Sequence, residues 1–407
     1  MRLVIVQYGG DYAEAFLRLA EGGSENYYAQ KYSVDAVTEM AKRAESVTVI
    51  CYKTPEFQDV VLANGVRAIG CGFSDKINSK KLIQLIAKQN PTHLVLRTTT
   101  PDVFKWAIKN KIRTIAVFAE SIATTTWQNK FHNYFLAKLL NNQQIEWVGT
   151  YGITSSLLFK EIGVKPDKII PWDFLLDTNP GSLLPKEIPT GVNTLKLFYA
   201  GLLIQTKGVG DILEAVAKLK EQNISVHLKM AGKGEEKFFT QRVEELQIKD
   251  SVEFLGMIPT PTLEPLMRES DVVLVTSRHE YPEGFPLTIQ HGLRTRTPIV
   301  ASDHPMFKTH LKHGVNSMIF EAGNSVALAE CLETLISDSP LYHNISVASH
   351  STWHELRLSV KWAELIDRWL DDSPESKQWL FEQRLASGAY NSKQSYNGVK
   401  KYPNYFS

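Results

Sequence analysis

The sequence predicts two doubly wound α/β domains, each a parallel sheet covered by helices on both faces. Three observations predict this. The chain has 407 residues, too many for one ordinary core and about right for two. Short β-branched runs alternate with helical patterns almost from end to end. The alternation breaks once, at a Pro/Gly/Ser-rich stretch, and then begins again.

The elements follow in chain order. Leu3, Val4, Ile5 and Val6 turn polar at Gln7, so 3–7 reads as a first buried strand. The apolar run is far too short for a signal peptide or a membrane span. Further strands are expected at 47–51, 66–71, 93–97, 114–118, 147–150 and 168–171, with helices at 28–42, 80–88 and 155–162 among them. The stretch 176–182, followed by Pro185, Pro189 and Gly191, is the linker. Strands then resume at 195–200, 226–231, 252–255, 272–275 and 298–301. Val209, Ile212, Leu213 and Val216 show one-face helical spacing between them, and Val326, Leu328, Leu332 and Leu335 roughly do after them. Trp353, Leu356, Val360, Ala363 and Leu370 are placed on one further helical face, and the polar tail from Ser373 is expected to be partly disordered. The expected domains are 1–185, 186–350, and a C-terminal segment 351–407 that packs back toward the first domain.

Lys plus Arg total 45 and Asp plus Glu 44, a balance that argues against a protein held mainly to nucleic-acid backbone. Cys51, Cys71 and Cys331 have neither metal nor disulfide spacing and read as buried thiols in a reducing compartment. No stretch approaches the length of a membrane span, so a cytoplasmic protein is expected, at most peripheral at the inner membrane face. The segment 127–142 interleaves Lys130, His132 and Lys138 with aromatic and leucine side chains, and no acidic residue lies between Ser121 and Ile145. It can rest weakly on a membrane surface or pack on its own sheet. The second reading is favoured, because two lysines attract an anionic surface only weakly.

In open parallel sheets, ligands bind outside the carboxyl ends of the strands. After strand 195–200 comes Gly201-Leu202-Leu203-Ile204-Gln205-Thr206-Lys207-Gly208. A lysine beside glycines where a helix begins can reach a phosphate, and the helix amides add to the attraction. After strand 272–275 comes a loop ending Glu283-Gly284-Phe285-Pro286-Leu287-Thr288. Pro286 suits a first helical turn, Gly284 permits close backbone approach, and the amides of Phe285 to Thr288 are expected to face an anion. Glu283 fits an acceptor for sugar hydroxyls. Taken singly, Lys207 and Glu283 more often belong to solvated surface.

Together these loops carry a resemblance. Phe198-Tyr199-Ala200-Gly201 through Lys207-Gly208, Met230-Ala231-Gly232, Val252 to Gly256 and Glu283 to Thr288 resemble the retaining glycosyltransferases of family 4. The likeness runs on through Thr297 to Asp303 and Gly314-Val315-Asn316. It implies the GT-B architecture, two Rossmann-like domains facing a central cleft, with the donor site in the second. It implies that Lys207 binds the donor diphosphate and that Glu283 contacts the transferred sugar. The backbone from Gly284 to Thr288 lies beside both, near Gly201. Retention of configuration, no cofactor beyond the nucleotide diphosphate sugar, and no metal are also implied. The absence of Asp-x-Asp from the chain agrees with the last point. Two positions depart from the pattern. Leu202 stands where the family has an arginine, and His291 where it has a glutamate that holds the ribose. Arg278 is one cation that can replace the missing arginine.

On the acceptor side, Tyr8-Gly9-Gly10-Asp11 is either a ligand-facing glycine loop or a tight turn. Arg97, with Thr98 to Thr100, and Glu120 follow the fourth and fifth candidate strands. Glu120 lies near where many relatives place a histidine that touches the donor sugar, although loop carboxylates are usually only solvated. The expected function is sugar transfer to a glycan, lipid-linked or small-molecule acceptor. The alternative is a non-catalytic nucleotide-sugar binder on the same scaffold. A nicotinamide-dependent oxidoreductase ranks below both, because Gly-x-Gly-x-x-Gly is absent.

Overall fold

A computed structural model describes residues 1–7, 10–26, 29–73, 77–119, 121–122, 127–174, 180–188 and 194–391. The chain divides into two compact units, Met1–Leu175 with Leu358–Ser407, and Leu176–Arg357. The first break falls ten residues before the expected 185/186 because the chain from Pro180 is already tied to the second unit. Arg296 Nε donates to the Pro180 carbonyl at 3.0 Å, and the Lys186 amide to Ser346 Oγ at 2.7 Å. The second break follows helix Ser339–Leu356, which runs on past residue 350.

The first unit holds strands β1 (Arg2–Gln7), β2 (Ser46–Cys51), β3 (Phe57–Val61), β4 (Arg67–Cys71), β5 (His93–Arg97), β6 (Arg113–Phe118), β7 (Ile145–Tyr151) and β8 (Ile169–Trp172). They form one sheet in the order β3-β4-β2-β1-β5-β6-β7-β8. Every pairing is parallel except β3 with β4. The inner strands are buried along nearly their whole length, as expected for a sheet covered on both faces. β3 was not expected from the sequence. It is an exposed edge strand whose Asp59 pairs with Arg67 of β4 at 2.7 Å.

The C-terminal segment packs on this first sheet. The single helical face expected from Trp353 to Leu370 does not form. Helix Ser339–Leu356 ends, the Val360 carbonyl accepts from the Asp173 amide at 2.9 Å, and a new helix spans Trp362–Asp371. Buried Trp369 donates to Glu146 of β7 at 2.9 Å, and Arg43 meets Asp367 at 2.6 Å. Gly149 makes room for this helix. A Cβ there would lie 2.7 Å from Leu365 Cδ2. Within the described part of the tail, helix Pro374–Glu382 is capped by Ser373, and Leu380, Leu385 and Tyr390 are buried; the rest of the expected disordered tail, 392–407, lies outside the described residues.

The second unit holds β9 (Leu195–Ala200), β10 (Val226–Ala231), β11 (Val252–Gly256), β12 (Val272–Val275), β13 (Ile299–Ser302) and β14 (Met318–Phe320). Their order is β11-β10-β9-β12-β13-β14, all parallel. Chain direction across the sheet reverses between β9 and β12, the switch point where such sheets bind ligands. Helix Val209–Glu221 buries Val209, Ile212, Leu213, Val216 and Leu219 against this sheet, each burial contributing roughly 1.5–3 kcal/mol.

Candidate functional site

The loops leaving β9 and β12 both emerge at the switch point of the second sheet. Hydrogen bonds to the main chain hold them together. Thr276 Oγ1 donates to the Lys207 carbonyl at 2.8 Å, and the Arg278 amide to the Thr206 carbonyl at 2.9 Å. Gly208 lies between them in the left-handed region (φ 72°) and starts helix Val209–Glu221. A Cβ there would sit 2.1 Å from the Thr276 carbonyl oxygen, so only glycine allows the loops to touch. On the other side of Gly201, its amide donates to the Ala231 carbonyl at 3.0 Å, bracing the β9 loop against the end of β10.

This bracing brings Lys207 and Glu283 into contact. Lys207 Nζ pairs with Glu283 Oε1, and the side chains are only 14% and 8% exposed. Ser277 Oγ donates to the same carboxylate oxygen at 2.5 Å. The Tyr281 ring centroid lies 4.2 Å from the ammonium. The Tyr281 carbonyl accepts from the Glu283 amide at 2.8 Å and from His304 Nε2 at 3.0 Å. The Met306 amide donates to His304 Nδ1 at 3.2 Å, which assigns the ring proton to Nε2. Burial holds the His304 pKa below its ordinary value, so this neutral tautomer persists.

Helix Leu287–Arg294 begins just beyond. Pro286 precedes its first turn (φ −63°, ψ 132°) rather than standing inside it, and no side chain caps the helix. Its first amides are therefore not taken up by a cap. Thr288 Oγ1 donates to the Ala200 carbonyl at 3.1 Å, which pins the helix start to the end of β9. Phe285 is buried against the His310 ring, with centroids 5.2 Å apart.

Arg278 does not take the place of the missing arginine as an uncommitted cation. It forms a two-pronged bond with buried Asp211, Nε–Oδ2 at 3.0 Å and NH2–Oδ1 at 2.6 Å. That bond raises its pKa. Leu202 is 47% exposed, and its carbonyl accepts from Tyr199 OH. His291 is buried, and its Nδ1 lies 2.7 Å from Glu264 Oε1 of helix Thr260–Glu269. Arg294 meets the same oxygen at 2.7 Å. A carboxylate therefore adjoins position 291, contributed by a different helix. A second cluster closes the outer side of the loop. His279 Nε2 lies 2.7 Å from Asp303 Oδ1, and Lys308 Nζ is 2.9 Å from Oδ2.

In the first unit, the reversal falls between β1 and β5, where Gln7 pairs in register with Arg97. Arg97 NH1 donates to Gln7 Oε1 at 3.2 Å, and its guanidinium lies 5.2 Å from the Trp362 ring centroid. A cleft bordered by Gln7, Gly10, Asp11, Tyr12, Gln30 and Trp362 opens there. Gly10 is left-handed (φ 79°), and Asp11 Oδ1 caps helix Tyr12–Ala20 by accepting from the amides of Ala13 and Glu14. That is the arrangement of a turn and cap. Tyr8, Gly9 and Glu120 lie outside the described residues.

Sequence reasoning did not reach Ser277, Tyr281, Glu264, Asp211, Asp303 or His304. Their partners stand 6 to 74 positions away, and no periodicity marks them. Only the closeness of Ser277 and Tyr281 to Glu283 offered a signal.

Comparison with known proteins follows the same division. Residues 184–351 match the family described as Glycosyl transferases group 1, so the second unit carries such a domain. Phosphatidyl-myo-inositol mannosyltransferase of Mycobacterium leprae is 27% identical over 172 residues, 38% of this chain and 45% of that protein. N-acetyl-alpha-D-glucosaminyl L-malate synthase of Bacillus anthracis is 26% identical over 180 residues, 44% of this chain and 45% of that one. The matched region spans less than half the length of these relatives. Among solved structures, Anabaena Alr3699/HepE in complex with UDP has a TM-score of 0.61 at 17% identity, covering 92% of this chain and 100% of that one. Sucrose-phosphate synthase (tll1590) of Thermosynechococcus elongatus has a TM-score of 0.62 at 14% identity, covering 91% and 98%. At these identities the likeness concerns the fold, which is that of the GT-B glycosyltransferases.

Proposed function

We propose that this chain is a retaining glycosyltransferase of family 4. It transfers a sugar from a nucleoside diphosphate sugar to a glycan, lipid-linked or small-molecule acceptor, in the cytoplasm and without a metal. The observation that carries the reading is the meeting of Lys207 and Glu283 at the switch point of the second sheet. Breaking the bond from the anomeric carbon to the diphosphate builds negative charge on the leaving oxygen. Lys207 and the uncapped start of helix Leu287–Arg294 are the groups suited to stabilise that charge. Glu283 is suited to accept hydrogen bonds from sugar hydroxyls. Donor entry then exchanges partners: the diphosphate takes Lys207 from Glu283, and the sugar takes Glu283 from Lys207. Gly10 and Arg97 lie at the corresponding edge of the first sheet and are assigned to the acceptor side, with Glu120 a further sugar-side candidate.

The test is a calorimetric screen of uridine, guanosine and adenosine diphosphate sugars, followed by turnover assays with each donor that binds. Uridine diphosphate glucose comes first, since solved HepE complexes contain UDP and glucose. Product anomers read by NMR decide retention, and activity in excess EDTA decides metal independence. Binding without hydrolysis or transfer, across all donors and acceptors, would replace the enzyme with a nucleotide-sugar binder.

A further inference from the structure

Helix Trp127–Leu140 of the first unit has two apolar faces. Asn133, Leu136, Ala137 and Leu140 are buried, with Leu136, Ala137 and Leu140 in the first unit's core. The opposite face exposes Trp127 (76%), Phe131 (62%), Tyr134 (52%) and Phe135 (46%). At about 100° per residue these four fall within about 100° of one another, a continuous stripe. Three of the rings touch: Phe131 and Phe135 centroids are 4.7 Å apart, Tyr134 and Phe135 5.6 Å. Lys130 and Lys138 are exposed on the same side, and Lys138 Nζ lies 4.5 Å from the Tyr134 ring centroid. No acidic residue occurs from Ser121 to Ile145.

A contiguous exposed apolar patch marks an interaction surface. Two properties select the occupant. Lysine is depleted in protein–protein interfaces, yet two lysines border this stripe. Tryptophan and tyrosine favour the headgroup level of a bilayer, and lysine beside them favours anionic lipid. Among the described residues no helix is long and apolar enough to cross a membrane, so the contact would lie on the surface. We infer that the exposed aromatic face of helix Trp127–Leu140 docks the protein on anionic lipid bilayers. The inference stands on the first unit alone and does not depend on the donor-site reading.

The test is co-sedimentation of the full chain with vesicles of phosphatidylcholine containing or lacking 30% phosphatidylglycerol (roughly the charge density at which a few lysines contribute measurably). The chain should pellet with the anionic vesicles and only weakly with the neutral ones. The double variant Phe131→Ser/Phe135→Ser should lower the partition coefficient at least about tenfold, as loss of inserted apolar area requires. The double variant Lys130→Glu/Lys138→Glu leaves every apolar contact in place and should abolish the preference for anionic vesicles. Far-ultraviolet circular dichroism and nucleoside diphosphate affinity, read on the same preparations, report the fold and the donor site separately. Failure of the unaltered chain to bind either vesicle overturns the inference. So does binding by both double variants that equals that of the unaltered chain. Light scattering that finds a dimer dissolved by Phe131→Ser/Phe135→Ser also overturns it, in favour of a second copy on this face.

Discussion

Lys207 and Glu283 stand 76 positions apart and share one ion pair, with the Tyr281 ring against the ammonium and the Ser277 hydroxyl on the carboxylate. Each side chain is mostly withdrawn from water, so neither is screened as a surface charge would be. The pair draws its geometry from the backbone contacts at Gly208, Thr206 and Thr276 rather than from any neighbouring sequence.

The two partners should respond differently to removal. Lys207→Ala deletes a charged phosphate contact and should weaken nucleoside diphosphate binding roughly 10- to 150-fold, from about 1.5–3 kcal/mol per charged hydrogen bond. Glu283→Gln should lower turnover tenfold or more, while the affinity for bare nucleoside diphosphate stays level or rises, because the lysine no longer has a competing anion. Titration calorimetry and initial rates separate the cases. Weaker binding of the bare nucleotide by Glu283→Gln would contradict the exchange of partners.

Tyr281 acts on Lys207 through its ring. Tyr281→Phe keeps the ring and should leave donor affinity within about twofold. Tyr281→Leu should cost roughly 2- to 30-fold, from about 0.5–2 kcal/mol for a cation over an aromatic face. Equal losses in both variants would assign the effect to the hydroxyl instead.

Gly208→Ala places a methyl group 2.1 Å from the Thr276 oxygen at a left-handed position. It should destabilise the chain by at least about 2 kcal/mol in urea unfolding. A change below about 0.5 kcal/mol would mean that the two loops separate easily.

The outer cluster should make stability depend on pH. The hydrogen bond to Asp303 raises the His279 pKa above its ordinary 6.5. Burial pushes the Asp303 carboxyl up, but bonds from His279, the Ala322 amide and Lys308 outweigh it and hold the carboxyl well below the usual range. A histidine pKa raised on folding contributes stability that is full below the unfolded value and lost as pH rises through the folded value. Asp303 stays ionised throughout that window. Urea midpoints of the unaltered chain and His279→Asn should therefore differ more at pH 5.5 than at pH 8.5. An equal difference at both values would remove the charged pair from the account.

Much of the second sheet was legible in the sequence. β12 is a fully buried, valine-rich run, β9 and β10 are mainly buried apolar runs, and the bounds of all three match the expectation. β3 was not, because its residues are largely exposed at a sheet edge and alternate with no buried face. Helix Trp127–Leu140 packs one face on its own unit, the reading favoured for 127–142; its second, exposed apolar face was not separated from the first, because apolar residues on opposite faces cancel each other's periodicity. The restart at Trp362 was hidden because Val360 is buried in an extended segment, yet its spacing from Leu356 and Ala363 mimics a continuing helix. At the site, Lys207 and Glu283 stood out through glycine spacing and an ordered motif set. Arg278 shows where that reasoning stops. Its charge was plain, but its pairing with Asp211 across 67 positions is a product of packing.

The mutual neutralisation of Lys207 and Glu283 sets how strongly salt should govern ligand capture. An uncovered lysine would attract a diphosphate from a distance, and dissolved ions would blunt that pull. Here the incoming anion meets a centre with no net charge and gains only when contact is made. Association should accordingly be slow to respond to ionic strength, with discrimination resting on how well one molecule satisfies both halves of the opened pair.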